Sequence, residues 1–107
     1  MKFKDPTHGN LEAAILDQAV AGMFNGKTYA YVAVIRETGK PWGIGVAVLG
    51  ETGYNPIASE TFTWDKEEDA KEFCDGMNFH IRLDTKEVST IIASTMRNPR
   101  YSQNPTP

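Results

Sequence analysis

The chain has 107 residues, of which 40% are hydrophobic and 23% charged, and this composition is sufficient for one domain with a single core. A net charge of −3 and an isoelectric point of about 5.3 exclude a basic field over the whole molecule that would attract nucleic acid. The lone cysteine, Cys74, excludes an intrachain disulfide framework and favours a reducing cytoplasm. No apolar run approaches the roughly 20 residues that a membrane helix needs. We therefore expect a cytoplasmic single domain over residues 1–107, with no membrane partner.

A first helix is predicted over residues 11–24, after a loose lead-in at residues 1–9. Asn10 is a suitable N-cap, and Gly26 suits the left-handed conformation that often follows a helix. Apolar residues are spread widely around this helix, so we expect other elements to cover it on more than one side.

Three strands are predicted over residues 28–36, 42–49 and 54–64, joined by short turns that favour an antiparallel meander. The first strand is apolar on both faces, which favours a central place in the sheet. Pro56 cannot donate a ladder hydrogen bond, so the third strand either begins after it or lies at the sheet edge.

The second strand alternates bulky and small side chains. One face carries Gly43, Gly45 and Ala47 and is nearly bare, because successive side chains point to opposite sides of a strand. This pattern predicts that another group approaches the bare backbone closely.

Two helices are predicted in the last third of the chain. Asp65 is the expected N-cap of the first, with Glu68 as its capping-box partner, and Asp84 is the expected N-cap of the second, with Glu87 in the same role. The second of these helices is expected to end at Asn98 and Pro99, and the polar tail 99–107 to be disordered. Apolar residues at helical spacing predict two core-facing stripes, made of Ala70, Phe73, Cys74 and Met77 and of Val88, Ile91, Ile92 and Thr95.

Together these elements predict an α+β fold: a helix, a three-stranded antiparallel β-meander, and two C-terminal helices packed on one sheet face. The other sheet face would then be open, and it would serve as a binding surface or join two copies in a homodimer.

The sequence contains no recognisable catalytic, metal-binding or cofactor-binding motif. Cys74 lies on an apolar helix stripe, where a thiol is usually an inert hydrophobe. His8 and His80 share no metal-ligand spacing with each other or with Cys74, so we expect His80 to be structural or solvent-facing. We predict that the protein is not an enzyme and needs no cofactor.

Acidic residues are concentrated between positions 60 and 75, where seven occur and only Lys66 and Lys71 offset them. One interpretation is a solvated helix face with a favourable helix dipole. The other is an acidic surface that competes with phosphates for a basic groove on a partner protein. The second interpretation predicts a partner surface made of Glu60, Asp65, Glu67, Glu68, Glu72 and Asp75.

An alternative is a nucleic-acid-associated accessory protein that uses an aromatic sheet face or a basic third helix. Exposed aromatic side chains on a sheet can stack bases, but few basic residues are close to them, so core packing or a protein interface is favoured. The aromatic residues of the predicted sheet are Tyr29, Tyr31, Trp42, Tyr54, Phe62 and Trp64, and the basic residues of the last third are Arg82, Lys86, Arg97 and Arg100.

Residues 61–97 carry a resemblance to known proteins. The stretch begins with Phe62, Thr63 and Trp64, continues through the acidic helix that closes at Met77 and Asn78, and ends in a short helix whose last residues are 91–97. It resembles small uncharacterised proteins of bacterial phages, plasmids and integrated elements, a group that includes anti-CRISPR and anti-restriction inhibitors. The resemblance implies a non-enzymatic interaction protein of a mobile genetic element, inhibition of a host defence complex being one of the functions found in that group, and it assigns no functional residue.

Overall fold

The computed structural model describes residues 6–36 and 39–96. The predicted α+β class and element order are confirmed. Predictions for residues 1–5, for the helix end at Asn98 and for the tail 99–107 lie outside the described residues. The elements in chain order are α1 (Leu11–Met23), β1 (Tyr29–Ile35), β2 (Trp42–Val48), β3 (Tyr54–Pro56), α2 (Glu67–His80) and α3 (Thr85–Thr95).

The sheet has the order β1-β2-β3, and both neighbouring pairs are antiparallel. The predicted central position of β1 is wrong, because β2 lies in the middle and β1 is an edge strand. Helices bury both faces of β1, and this gives an edge strand the apolar pattern of a central one.

The third strand is shorter than predicted. It ends at Pro56. Of the two alternatives that Pro56 allowed, a strand that begins after it or a strand at the sheet edge, the structure shows the edge strand. The Ile57 N–H still donates to the Ile44 carbonyl of β2 at 2.9 Å, residues 58–63 then leave the sheet, and Trp64 returns to it through an isolated bridge to Trp42. The backbone N–H of each tryptophan donates to the backbone carbonyl oxygen of the other, at N···O distances of 3.0 and 2.9 Å.

The first helix starts at the predicted cap, where the Ala13 N–H donates to Oδ1 of Asn10 at 3.1 Å. Its inner face is buried, but Leu11, Ile15 and Met23 on the outside are 75%, 55% and 63% exposed. The expectation that α1 is covered on more than one side is therefore wrong among the described residues. Only the inner side of α1 packs against the rest of the described fold. Its outer side carries exposed apolar residues. The buried residues of α1 are Ala13, Leu16 and Val20.

The core has two parts, one on each face of the sheet. On one face α1 and α2 pack over alternate residues of β1 and β2, and on the other face α3 packs over the intervening ones. The two C-terminal helices therefore contact opposite faces, and α3 covers the face expected to be open. Of the small residues on β2, Ala47 packs in one cluster with Ile91 of α3. The first part contains Tyr31, Ile44, Val46, Val48 and Met77, and the second contains Ala30, Val32, Ala47 and Ile91.

The bare part of β2 is filled by the protein's own side chains. A Cβ atom added at Gly43 would lie 2.7 Å from Cδ of Arg36, and one added at Gly45 would lie 2.8 Å from Cγ1 of Val34. Arg36 crosses β2 above Gly43 and reaches the carboxylate of Glu60 at 2.9 Å. The close approach that the glycines predict is thus internal to the fold.

One side chain of α2 pairs with the outer edge of β1. The N–H of Tyr31 donates to Oδ1 of Asn78 at 2.7 Å, and Nδ2 of Asn78 donates to the Tyr31 carbonyl at 2.9 Å. Asn78 is only 3% exposed. Its amide therefore takes the place of a residue in a fourth strand and holds α2 against the sheet edge.

The two predicted helix caps differ in outcome. Asp84 accepts from the Glu87 N–H at 2.7 Å, while Glu87 accepts from the Asp84 N–H at 3.0 Å, so this capping box is confirmed. The predicted cap at Asp65 is wrong, because α2 begins at Glu67 and its N-cap is Lys66, which makes no side-chain cap bond. The bridge to Trp42 holds Trp64 in the sheet, so the helix starts later than the capping pattern suggests.

Candidate functional site

The outward side of α2 carries a row of carboxylates. Glu68, Glu72 and Asp75 are exposed and follow one another at intervals of four and three residues, which places them on one side of a helix. We call these three residues the acidic row. Among the described residues, none of the three carboxylates takes part in a hydrogen bond or a salt bridge. Exposed Phe79, four residues further on, adds an apolar side chain at the end of the row.

The other predicted surface residues lie outside the acidic row. Glu60 is paired with Arg36, and Glu67 is paired with Lys71 at 3.3 Å. Asp65 is exposed and precedes the helix. The structure thus unites half of the predicted acidic surface in one row, while salt bridges engage two of the remaining carboxylates.

Asp75 differs from its neighbours in its surroundings. Partial burial raises the pKa of its carboxyl group, nearby Lys71 lowers it, and the negative charge of Glu72 raises it again. Asp75 also lines a cavity of about 210 Å³ beside Asn78 at the edge of β1. Among the three residues of the row, Asp75 is therefore the one whose carboxyl group has its pKa raised by partial burial.

A second feature lies on the neighbouring flank of α2. Pro6, Trp64 and three residues of α2, namely Asp69, Glu72 and Phe73, line a cavity of about 320 Å³, which we call the Trp64 cavity. The ring centroids of Trp64 and Phe73 are 5.1 Å apart. The sequence pattern predicts a strand position for Trp64 and a core position for Phe73, and it does not predict their contact. The available signal was the spacing of Asp69, Glu72 and Phe73, which lie on one side of the helix.

A chain of polar contacts joins four segments: β1, α1, the end of α2 and the segment that precedes α1. The Tyr31 hydroxyl donates to Oδ1 of Asp17 at 3.0 Å, and Oδ2 of Asp17 lies 3.3 Å from Nε2 of His80. Nδ1 of His80 lies 3.2 Å from the hydroxyl of Thr7. Burial is the main cause that raises the pKa of Tyr31, and the charge of Asp17 adds to it. The partly exposed His80 therefore has a structural contact, which joins the end of α2 to α1.

The sheet aromatics do not form an open platform. Tyr31 and Phe62 are buried, and Tyr29, Trp42 and Trp64 are half-buried, while Tyr54 is 40% exposed. Stacking of bases needs exposed ring faces. The described sheet therefore gives no support to the alternative in which its aromatic residues bind nucleic acid. Of the basic residues of the last third, Arg97 and Arg100 lie outside the described residues.

Cys74 is buried, as the sequence predicts. Burial raises the pKa of its thiol to about 12, with a smaller contribution from the charge of Asp75. In residues 6–36 and 39–96, no three His, Cys, Asp or Glu side chains come together in a way that could hold a metal ion. In the same part of the chain, no helix combines the length and the apolar character needed to cross a membrane.

Comparisons with protein-family models, with curated proteins and with solved structures give no match to this chain.

Proposed function

We propose that this protein is a non-enzymatic binding protein that attaches to a basic surface of a partner protein through the acidic row. The observation that carries the proposal is the presence of three exposed carboxylates in one row, none of which forms a salt bridge among the described residues. Charges that are not neutralised within their own protein are free to attract an opposite charge on another molecule.

The mounting of α2 supports this role. Asn78 ties the helix to the backbone of β1, and Met77 and Cys74 anchor its inner side in the core. A binding surface that is already ordered loses less conformational freedom when the partner binds. The acidic row is thus presented on a fixed support.

The finer form of the proposal is an inhibitor that acts in the bacterial cytoplasm. A groove that binds nucleic acid is basic because it neutralises phosphates, and an acidic row that occupies it would compete with them. The resemblance of residues 61–97 to proteins of mobile genetic elements includes the whole of α2, and it supports a host defence complex as the partner.

The test is a charge reversal of the acidic row with a matched control. The row variant is Glu68→Lys with Asp75→Lys, and Glu72 is kept because it also lines the Trp64 cavity. The control variant is Glu12→Lys with Glu51→Lys, which changes the net charge by the same amount at exposed positions on α1 and after β2. It also removes the surface salt bridge of Glu51 to Lys27, a pair worth at most about 1 kcal/mol of folding stability. Circular dichroism first confirms that both variants fold.

Immobilised wild type, row variant and control variant are then used to capture proteins from a lysate of the source cells, and mass spectrometry identifies the captured proteins. We expect a partner that wild type and control retain and that the row variant loses. With the purified partner, the association rate should fall as salt rises, because exposed charges steer the encounter. Equal loss with the control variant would show an effect of net charge alone and contradict the proposal.

Titration with a mixed-sequence oligonucleotide separates the nucleic-acid alternative. The proposal expects no tight binding at physiological salt. Binding by the wild type that becomes tighter in the row variant would favour direct contact with phosphates and would contradict a protein-directed acidic row.

A further inference from the structure

The Trp64 cavity is preformed by its aromatic wall. The backbone of Trp64 is paired with Trp42 in the sheet, and its ring packs on Phe73. Phe73 packs in turn on buried Phe62, with ring centroids 5.4 Å apart. The cavity volume of about 320 Å³ lies at the low end of the usual range for ligand sites, so the cavity has room for one long side chain or a small molecule.

The charge of the cavity has one sign. Asp69 and Glu72 line it, and among the described residues no lysine or arginine does so. Within the described residues neither carboxylate takes part in a hydrogen bond or a salt bridge. An aromatic wall and two unpaired carboxylates therefore meet in one concave site.

This combination selects an organic cation. The face of a tryptophan ring attracts a cation through its quadrupole, and carboxylates pair with ammonium or guanidinium groups. An anion would be repelled, and an apolar group would desolvate two carboxylates without replacing their hydrogen bonds to water. A guanidinium group fits best, because its plane stacks on an aromatic ring while its edge donates to a carboxylate.

We propose that the Trp64 cavity binds an arginine side chain of the partner protein. This inference rests on the proposed function, since it names the chemical group by which a basic partner engages α2. Glu72 lies in both the acidic row and the cavity, so an arginine bound there is continuous with the basic surface that contacts the row.

The test uses two short peptides and needs no partner. One is acetyl-Gly-Arg-Gly-amide, and the other carries citrulline, a neutral group of the same shape, in place of arginine. Each is titrated into ¹⁵N-labelled protein and followed by NMR. We expect the arginine peptide to shift the indole N–H of Trp64 and the amides of Asp69 and Phe73, and the citrulline peptide to leave them in place.

Two exposed substitutions probe the carboxylates. Asp69→Asn and Glu72→Gln should each weaken binding of the arginine peptide roughly tenfold, as expected when one partner of a charge-assisted hydrogen bond is removed. Glu68→Gln removes a charge from the acidic row outside the cavity, and it should change the affinity less than about twofold because exposed charges are strongly screened.

Three outcomes would overturn the inference. These are equal shifts with the citrulline peptide, an equal loss of affinity with Glu68→Gln, and movement of the same resonances by Lys4→Gln without peptide, which would assign the cavity to a lysine of this chain. Peptide binding that persists while partner capture is indifferent to the row variant would refute the proposed function alone. Partner capture that depends on the row without any peptide binding would refute the cavity proposal alone.

Discussion

Removing the amide of Asn78 is expected to be among the most destabilising single changes in α2. Its side chain satisfies both the N–H and the carbonyl of Tyr31 at the buried edge of β1. Leaving a buried backbone group without a partner costs about 1–3 kcal/mol. Two such groups predict that Asn78→Ala lowers the free energy of unfolding by roughly 2–6 kcal/mol. This is a large part of the stability of a small domain, which is typically about 5–15 kcal/mol.

A second substitution at Asn78 adds a dependence on pH. In Asn78→Asp one carboxylate oxygen still accepts from the Tyr31 N–H, but the other faces the Tyr31 carbonyl and repels it. Repulsion and burial both raise the pKa of the introduced carboxyl in the folded state. The folded variant then binds its proton more tightly than the unfolded chain, so its stability is greatest below the unfolded pKa of about 3.9 and falls as pH rises through the folded pKa.

Urea denaturation followed by circular dichroism measures both effects, and hydrogen exchange at the Tyr31 amide reports the local bond. Asn55→Ala is the matched control, because exposed Asn55 lies in the opposite edge strand β3 and its Nδ2 donates to the carbonyl of Val46 in the central strand at 3.2 Å. We expect this control to cost less than about 1 kcal/mol. A loss for Asn78→Ala no larger than that of Asn55→Ala would refute the edge-pairing argument.

Four further predictions follow from particular positions. Asp84→Ala should lower the free energy of unfolding by about 1 kcal/mol through loss of the capping box, whereas Asp65→Ala, which removes no cap, should change it by less than about 0.5 kcal/mol in the same urea titration. Cys74 should resist alkylation by iodoacetamide at pH 8 in the folded protein and react in urea; since its pKa is raised from 9.0 to about 12, its contribution to stability should be lost as pH rises across that interval. Arg82→Gly should stabilise the protein by up to about 1 kcal/mol, because Arg82 has a φ of 68° in the left-handed region and glycine relieves that strain at some entropic cost. Ile15→Gln should leave the thermal unfolding midpoint within about 2 °C of wild type, since Ile15 lies on the exposed face of α1.

Local patterns predicted much of this fold, because several elements are encoded by neighbouring residues. The cap at Asn10, the capping box at Asp84 and Glu87, and the alternation along β2 all depend on contacts within a few positions of the chain. Such contacts are set by backbone geometry and need no knowledge of the tertiary structure.

The errors came from interactions between distant residues. β1 has the composition of a central strand, but the partner on its free edge is Asn78, which is 47 residues away. The apolar pattern of α1 does not predict on how many sides other elements cover the helix. The start of α2 is displaced by the bridge of Trp64 to Trp42. These outcomes depend on how elements pack, which the periodicity of one segment does not contain.

The candidate site shows the same division. The excess of carboxylates between positions 60 and 75 was visible in the sequence, and helical spacing was sufficient to group Glu68, Glu72 and Asp75. The salt bridge of Glu60 to Arg36 and the contact of Trp64 with Phe73 were not visible, since both join side chains that only the tertiary structure brings together.

The pairing of Asn78 with Tyr31 also has a consequence in time. During synthesis the two paired strands β1 and β2 are complete at Val48, but Asn78 follows thirty residues later. At a typical rate of about 5–20 residues per second, this interval lasts roughly 2–6 s. For that period the outward backbone groups of β1 lack the amide that later covers them, and an open strand edge is a template for pairing with another chain. The nascent chain should therefore be most prone to aggregate between the completion of β2 and the arrival of α2.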